Sequence, residues 1–386
     1  MPAINDQFTA TVRDLGTDGS GIVEHPDGQV FFVPGVWPGE TVRIAVTGFK
    51  QRFGFARLLE LLEPSPDRVT PLCLHHGAGS RDCGGCCWQF ISYGAQLEAK
   101  EQRLRQALAR LQLAAEVAPI WGAPEIFGYR NRAQLKTDGR QLGYVAAGSR
   151  QLAPISDCPI LTQTNRATLQ ALLQSLPNNA FRPGRKQDWT TLDIDDELSA
   201  AEVAPNRRRP FRQGNTAQNL RMREWLQHRA SKLDNSRTVL ELFSGSGNFT
   251  EVLATAGFAR ILAIEGVEDS VHALAARKLP GVDARRYNLF AEAGCSRLQE
   301  QARDASILVL DPPRDGFKLA GLLLTKKHRL RDVFYISCDP ATFARDIKIF
   351  IDAGFLAIEI QPLDLFPHTP HVEVLCWLQR PEAKAQ

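Results

Sequence analysis

The stretch Glu241-Leu-Phe-Ser-Gly-Ser-Gly-Asn-Phe-Thr250 has the pattern of a strand, a glycine loop and a helix. The apolar run Val239–Phe243 predicts a buried strand, and Phe249–Ala256 predicts the helix that follows it. Glycines let the loop backbone come close to a ligand, and the amino end of the helix adds partial positive charge. The stretch therefore predicts an α/β sheet with a ligand site where this strand ends.

Alternating strands and helices surround this loop from about Gly214 onward. The predicted helices are Thr216–Ser231, Asp269–Lys278 and Ala341–Ala353, and the predicted strands are Ile261–Ile264, Ile307–Leu310 and Val333–Ser337. Such alternation is typical of a doubly wound, mostly parallel sheet of the Rossmann-like kind. Polar residues that follow these strands are the first candidates for a functional site, because ligands bind beyond the carboxyl ends of the strands.

The amino-terminal segment has a different pattern, with short strands between turns such as Asp18-Gly19 and Asp27-Gly28. The predicted strands are Phe8–Val12, Gly21–Glu24, Val30–Val33, Thr41–Val46 and Phe53–Leu59. Closely spaced short strands of this kind predict a small OB-like β-barrel. The sequence Pro64-Ser65-Pro66 breaks the pattern and indicates a linker.

A third pattern, a helix followed by strands, fills the middle of the chain. The helix is predicted at Tyr93–Leu111 and the strands at Tyr129–Thr137 and Gln141–Val145, which favours a small α+β domain. We therefore expect a multidomain α/β protein with three parts, at residues 1–63, 64–204 and 205–386.

The bulk composition permits a nucleic-acid partner but does not demand one, since the net charge of the 386 residues is only +3. No apolar run is long enough to span a bilayer, and Met1–Thr11 lacks the basic start and apolar stretch of an export signal. We expect a cytoplasmic monomer with no membrane segment, in which thiols stay reduced.

The glycine loop differs from the two common phosphate-binding loops. It lacks the third glycine of the dinucleotide fingerprint and the lysine of a P-loop. Glu265 ends the next strand, where a carboxylate can accept hydrogen bonds from ribose hydroxyls. A short G-x-G is a weak signal by itself, but with this acidic residue it favours S-adenosylmethionine over a dinucleotide.

Cys338 follows a predicted strand of the same sheet in Ser337-Cys338-Asp339-Pro340, and the helix after it is expected to favour the thiolate. A buried structural cysteine is the alternative. Asp311-Pro-Pro-Arg314 follows another strand and is similar to the D-P-P-Y motif of enzymes that methylate exocyclic amines. Arg314 replaces the stacking aromatic residue of that motif, which argues against amine methylation and favours chemistry at the cysteine.

A cysteine at this place suits methylation of a pyrimidine ring. Carbon 5 of uracil becomes nucleophilic when a thiolate adds to carbon 6, and a base must later remove the proton from carbon 5. Glu373, in His368-Thr-Pro-His-Val-Glu373, is the candidate base. A carboxylate on a surface strand is the alternative interpretation of Glu373.

Cysteines also cluster in the middle segment, as Cys73, Cys83, Cys86 and Cys87, with Cys158 further along. The Cys-x2-Cys spacing indicates a metal centre, and it fits either an iron–sulfur cluster or zinc. The glycines between Cys83 and Cys86 free backbone N–H groups to point at sulfur, which suits a cluster.

Together these motifs resemble the bacterial 23S rRNA and tRNA uracil-5 methyltransferase family, which implies a class I, S-adenosylmethionine-dependent methyltransferase fold. The resemblance further implies that Gly16–Glu63 forms a TRAM barrel. It implies a 4Fe–4S cluster held by Cys73, Cys83, Cys86 and Cys158. It implies cofactor-binding roles for Gln213 (in Phe211-Arg-Gln-Gly-Asn215), Phe243, Asn248, Glu265, Asn288 and Asp311. Finally, it implies that Cys338 is the nucleophile and Glu373 the base.

The expected activity is therefore methylation of carbon 5 of a uridine in structured RNA, with rRNA favoured over tRNA as the partner. One alternative is a cytosine or exocyclic-amine nucleic-acid methyltransferase on the same fold. Another is a non-catalytic iron–sulfur protein that binds RNA.

Overall fold

The computed structural model describes residues 2–111, 113–207, 209–324 and 328–381, without the side chains of residues 295, 300 and 301. The chain divides into two compact units. The first unit comprises Met1–Glu98, Glu125–Arg208 and Phe366–Pro370, and the second comprises Ala99–Pro124, Arg209–Leu365 and His371–Gln386. The three-part division expected from the sequence stays a prediction beside this two-unit division.

A six-stranded sheet begins the first unit. Its strands are β1 (Gln7–Thr11), β2 (Asp14–Leu15), β3 (Gly21–Glu24), β4 (Val30–Val33), β5 (Thr41–Lys50) and β6 (Phe53–Glu63), in the order β1-β5-β6-β4-β3-β2. The alternating burial of β4 and the fully buried side chains of Val23, Phe31 and Ile44 show which face covers the core. The sequence predicted these strands except β2, which is too short to show any periodicity.

Helix α1 (Tyr93–Leu108) follows along the chain, and its residues from Ala99 onward belong to the second unit. A second sheet completes the first unit. Its antiparallel strands are β7 (Arg132–Thr137), β8 (Leu142–Val145), β9 (Leu152–Pro154) and β10 (Thr190–Asp195), in the order β10-β7-β8-β9. Helix α2 (Gln163–Gln174) buries Leu169 and Leu172 in the core shared with this sheet, and Thr162 caps its amino end. Residues Leu135 and Leu192 meet in the same core.

A seven-stranded sheet forms the second unit, in the order β13-β12-β11-β14-β15-β17-β16. Its strands are β11 (Thr238–Leu242), β12 (Arg260–Glu265), β13 (Val282–Arg286), β14 (Ile307–Leu310), β15 (Asp332–Ser337), β16 (Leu356–Leu363) and β17 (Glu373–Gln379). Its helices are α3 (Thr216–Ala230), α4 (Thr250–Thr255), α5 (Glu268–Ala276), α6 (Glu292–Asp304) and α7 (Pro340–Asp352). Strands β11 to β15 pair in parallel, whereas β17 runs antiparallel between β15 and β16.

The central strands of this sheet are covered on both faces, since every residue of β14 and of β15 is buried. Such strands are expected where helices cover both sides of a parallel sheet. The parallel pairing confirms the Rossmann-like sheet predicted from the alternation of elements. In the described part of the chain, no helix combines the length and apolarity that a bilayer crossing requires.

Candidate active site

The carboxyl edge of the seven-stranded sheet gathers four of the predicted site residues. Phe243 follows β11, Glu265 ends β12, Asp311 follows β14 and Cys338 follows β15. These four strands are neighbours, in the order β12-β11-β14-β15, and parallel strands all end at the same edge. Sequence positions almost one hundred residues apart therefore meet along one row of strand ends.

Glu373 reaches the same edge from the opposite chain direction. It is the first residue of the antiparallel strand β17, and the next residue, Val374, pairs with Ser337 at the end of β15. This register places the start of β17 beside Cys338. Burial raises the pKa of the Glu373 carboxyl to about 8, a nearby Asp311 charge adds to that rise, and Arg314 opposes it.

The Cys338 thiol is half-buried at the start of α7. Asp339 caps that helix, since its side chain accepts hydrogen bonds from the N–H groups of Ala341 (3.0 Å) and Thr342 (2.9 Å). Burial and the carboxylate of Glu373 raise the pKa of the thiol to about 12. Burial and negative neighbours thus favour the neutral thiol in the cofactor-free protein, and the expectation that the helix amino end favours the thiolate stays a prediction.

Asp311 and Glu241 are two more carboxyl groups buried in this unit. Burial raises the pKa of Asp311 to about 7. Burial also raises the pKa of Glu241 to about 8, with a contribution from the charge of Asp311. Together with Glu373, these carboxyl groups are stabilised either by protonation or by a positive charge nearby.

The glycine loop is held in its shape by Glu265. One carboxylate oxygen accepts a hydrogen bond from the Gly245 N–H at 2.9 Å, and the other accepts from Gly266 at 2.7 Å and Val267 at 2.8 Å. Gly247 has a φ of 98°, which favours glycine. A carboxylate has about four acceptor positions, so these bonds leave room for one more donor, such as a hydroxyl.

Aromatic rings stand beside this loop. Phe243 lies 5.4 Å from the ring of Phe317 and 5.8 Å from that of Phe290, measured between centroids. The Phe290 side chain is 63% exposed. Asn288 is also exposed, and its side-chain oxygen accepts a hydrogen bond from the Phe290 N–H at 3.0 Å. The segment after β13 thus places a polar and an aromatic group near the loop.

The other two predicted cofactor residues lie close to helix α3. Gln213 is buried and precedes the helix cap, Asn215, in the chain. The side-chain amide of Asn248 exchanges two hydrogen bonds with that of Asn219, at 3.0 and 2.9 Å, so it joins the loop to α3. The structure therefore gives Asn248 a bracing contact in addition to its place in the loop.

Sequence reasoning missed a basic group beside the nucleophile candidate. Arg314 lies 3.0 Å from His371, between Nη2 and Nε2. Burial lowers the pKa of His371 to about 4, and the charges of Arg314, Lys100 and Arg103 lower it further, while Asp339 opposes them. Arg314 and His371 stand inside the quoted motifs Asp311–Arg314 and His368–Glu373, so their positions were visible in the sequence but their proximity was not.

The cysteines proposed as metal ligands all belong to the first unit. A 3-10 turn, Gly84–Cys86, separates Cys83 from Cys86, and Cys158 is buried. Burial raises the pKa of the Cys86 thiol well above its usual value, and charges on Cys158, Cys83 and Cys73 raise it further, so the four thiols interact electrostatically. Among the described residues, however, no group of three or more His, Cys, Asp or Glu side chains is arranged to hold a metal ion.

Cys87, the neighbouring thiol, points elsewhere. Its sulfur lies 3.9 Å from the backbone oxygen of Asp18, to which the thiol can donate a weak hydrogen bond. The Tyr144 hydroxyl, by contrast, lies 3.9 Å from the sulfur of Cys158. The Cys87 thiol thus has a contact of its own with the backbone of Asp18.

Comparison with known proteins adds to this geometry. The family model described as tRNA (Uracil-5-)-methyltransferase matches residues 190–282 and 293–381, and the model of the TRAM domain matches residues 4–59. A 23S rRNA (uracil(1939)-C(5))-methyltransferase of Halomonas elongata is 31% identical over 96% of this chain and 89% of its own length. The chain belongs to the RNA uracil-5-methyltransferase family. An uncharacterized RNA methyltransferase of Nitrosomonas europaea is 42% identical over 95% of both chains.

A solved structure of this family shares the fold. The crystal structure of Pyrococcus abyssi tRNA (uracil-54, C5)-methyltransferase, in complex with S-adenosyl-L-homocysteine, superposes with a TM-score of 0.67 and 22% identity, over 96% of this chain and all of that one. The predicted enzyme class, a class I S-adenosylmethionine-dependent RNA uracil-5-methyltransferase with an amino-terminal TRAM domain, is confirmed. The predicted iron–sulfur domain is not shown and stays a prediction.

Proposed function

We propose that this family member methylates carbon 5 of one uridine in structured RNA, 23S rRNA in preference to tRNA, through a covalent bond between Cys338 and carbon 6. The proposal rests mainly on the pairing between the end of strand β15 and the start of strand β17. The register between β15 and β17 brings a half-buried thiol and a buried carboxyl together, at the same edge of the sheet as the glycine loop. No comparable thiol–carboxyl pair is needed for methylation of an exocyclic amine.

The cofactor-binding residues in this proposal are Gln213, Phe243, Asn248, Glu265, Asn288 and Asp311. S-adenosylmethionine, when bound, supplies an electrophilic methyl group on a positively charged sulfur. Buried carboxyl groups with raised pKa values, such as Asp311, favour a cation nearby, which supports this assignment. The free acceptor position of Glu265 suits a ribose hydroxyl, and Asn248 keeps the loop against α3.

The reaction divides between the two catalytic residues. The Cys338 thiol loses its proton to solvent, and the thiolate forms a bond to carbon 6 while the carbon 5–carbon 6 electron pair moves toward the O4 oxygen as an enolate. Carbon 5 would then form a bond to the methyl group, and the donor sulfur would keep the electron pair of the bond that breaks. The Glu373 carboxylate removes the carbon 5 proton, the double bond re-forms, and the bond between sulfur and carbon 6 breaks. The net change replaces one proton of uracil with a methyl group.

Labelled methyl transfer tests the assignment of the nucleophile. The substrate is an unmodified bacterial 23S rRNA transcript with labelled S-adenosylmethionine. We expect Cys338→Ala to lose activity by at least about a thousandfold, since no other group can activate carbon 5. The matched control is Cys87→Ala, another half-buried thiol, which should retain activity. Comparable turnover in both variants would refute the proposal.

The identity of the RNA rests on the relatives, several of which are named for uracil 1939 of 23S rRNA. Mass mapping of rRNA and tRNA from a strain lacking this protein should show the loss of one 5-methyluridine from 23S rRNA. If 5-methyluridine were lost only from tRNA, the substrate would be tRNA instead. We also propose a cytoplasmic monomer, which light scattering of the purified protein would check.

We further propose that Cys73, Cys83, Cys86 and Cys158 hold a 4Fe–4S cluster. The chemistry of the donor set supports it, since the four thiols interact with one another and the raised pKa values of Cys83, Cys86 and Cys158 favour a cationic centre that stabilises thiolates. The thiol of Cys87 points to the carbonyl of Asp18 and is left out of the set.

Anaerobic purification and metal analysis test this assignment without an activity assay. We expect about four iron atoms per chain and visible thiolate-to-iron absorption. Cys86→Ser should lose both, while Cys87→Ser keeps both. A content of about one zinc ion per chain would instead show that these cysteines bind zinc.

A further inference from the structure

A basic cavity of about 640 Å³ lies in the second unit. It is lined by Arg237, His328, Arg329, Arg331 and Arg380. Arg237 directly precedes β11, Arg331 precedes β15, and Arg380 follows the antiparallel strand β17. These positions belong to the edge of the sheet opposite the strand ends that carry Cys338.

Among the described residues, few carboxylates balance the positive charge of this cavity. Its neighbouring carboxylate, Asp332, is buried and accepts hydrogen bonds from Arg237 at 2.6 Å, Trp377 at 3.0 Å and Gln379 at 2.9 Å. Arg329, Arg331 and Arg380 form no ion pair with any residue that the structure describes. Clustered guanidinium groups without counter-charges repel one another and favour an anion.

His328 adds a buried donor to this group. Its Nε2 lies 3.2 Å from an amino group of Arg380, which can only donate, so the proton of the neutral ring belongs on Nδ1. That Nδ1 is buried and has no hydrogen-bond partner among the described residues. Burial lowers the pKa of His328, and the charges of Arg380 and Arg331 lower it further, which keeps the ring neutral. Because this nitrogen is enclosed by protein, the arginine side chains are the groups that can contact an anion in the cavity.

We propose that this cavity binds phosphate groups of the RNA backbone, as a second contact on the edge opposite the active site. Guanidinium groups bind phosphate oxygens in a bidentate manner, and RNA carries one such charge per nucleotide. Strand β15 has six residues and so spans about 20 Å between the two edges. A folded RNA is large enough to contact both edges, which a free nucleotide is not.

The salt dependence of RNA binding tests the proposal. The probe is an unmodified bacterial 23S rRNA transcript, and its affinity is measured across a series of KCl concentrations. The double variant Arg331→Ala/Arg380→Ala should weaken binding about tenfold at low salt. It should also make the plot of log affinity against log salt shallower by about 1 to 2, because each lost phosphate contact removes about 0.7 to 0.9.

Two further variants distinguish an effect of lost charge from an effect of impaired folding. Arg260→Ala removes an exposed arginine at the start of β12, on the same edge but outside the cavity, and should leave the slope unchanged. Arg331→Lys/Arg380→Lys should restore most of the slope, since it retains the charge. Binding of S-adenosylmethionine should be equal in all variants.

Two results would overturn the inference. One is a double variant whose salt slope equals that of Arg260→Ala. The other is a combination of two observations. Inorganic phosphate raises the melting temperature of the unmodified protein but not of the double variant, and the double variant has the same salt slope for RNA binding as the unmodified protein. That second pattern would assign the cavity to a small free anion.

Discussion

At the scale of single residues, the site depends on what surrounds each ionisable group more than on the group itself. Cys338 and Glu373 were both visible in the sequence as candidates. Their protonation was not, because the pKa of about 12 for the thiol and about 8 for the carboxyl result from burial and from charges brought in by other strands.

Glu265 provides a test at this scale. Replacing it with Gln removes the charge that accepts hydrogen bonds from Gly245 and from the two residues after the strand. Loss of such charge-assisted bonds costs about 1.5 to 3 kcal/mol, so S-adenosylmethionine affinity should fall roughly tenfold or more by calorimetry. Glu268→Gln, an exposed acid paired with Arg286, is the control. Equal affinities would show that Glu265 does not organise the loop.

At the scale of elements, periodicity predicted the strands that matter most. Strand β14 is observed at Ile307–Leu310, as expected, and the predicted ends of β11, β12 and β15 differ by at most one residue. Strand β13 was missed because its exposed sequence, Val-Asp-Ala-Arg-Arg, shows no apolar pattern. The insertion of β17 between β15 and β16 also escaped prediction, since strand order is decided by tertiary packing.

Helix α7 supports the turn that carries Arg314. Its buried Asp346 accepts hydrogen bonds from the Phe317 N–H at 2.5 Å and from the Tyr335 hydroxyl at 2.6 Å. We expect Asp346→Asn to lower the free energy of unfolding by about 2 to 4 kcal/mol, because each bond to a buried charge contributes about 1.5 to 3 kcal/mol.

The turn anchored by Asp346 should also matter for catalysis. In the Asp346→Asn variant, kcat for methyl transfer should fall more than the affinity for S-adenosylmethionine, measured below the melting transition. Asp352→Asn, which loses only an exposed pair with Lys348, is the control for both measurements. An unchanged kcat would leave Asp346 a purely structural role.

At the scale of the whole molecule, two compact units divide the chemistry. The second unit contains the strand ends with the thiol and the buried carboxyl groups, and the first unit contains the four interacting cysteines. The sequence predicted both sets by motif, but it did not predict the basic group around Arg314 and His371 or the arginine-lined cavity. Those arise from segments that are distant in the chain, such as Arg237 and Arg380.

Stability of the second unit should fall as pH rises. The pKa values of Glu241 (about 8) and Asp311 (about 7) are raised above their ordinary values by burial. Their protonated forms therefore stabilise the fold fully below pH ~4, and this contribution is lost as pH rises to ~8. We expect the melting temperature of the cofactor-free protein to drop by at least ~2 °C from pH ~6 to ~8.5.

The matched variant for this test is Glu241→Gln, a neutral side chain of the same shape. It should reduce the pH-dependent drop, whereas Glu268→Gln, which removes an exposed charge, should not. A drop of the same size in Glu241→Gln and in the unmodified protein would contradict the burial argument. Added S-adenosylmethionine should reduce the drop in the unmodified protein, because a cation favours the ionised carboxyl groups.

The central claim is the covalent bond between Cys338 and carbon 6 of a uridine, and trapping that bond tests it most directly. Glu373→Gln cannot remove the carbon 5 proton, so incubation with 23S rRNA transcript and S-adenosylmethionine should accumulate a denaturant-stable protein–RNA adduct. Nuclease digestion and mass spectrometry should locate a methylated uridine on Cys338, and Cys338→Ala/Glu373→Gln should form none. An adduct that persists in the double variant, or full turnover by Glu373→Gln without any adduct, would contradict the account.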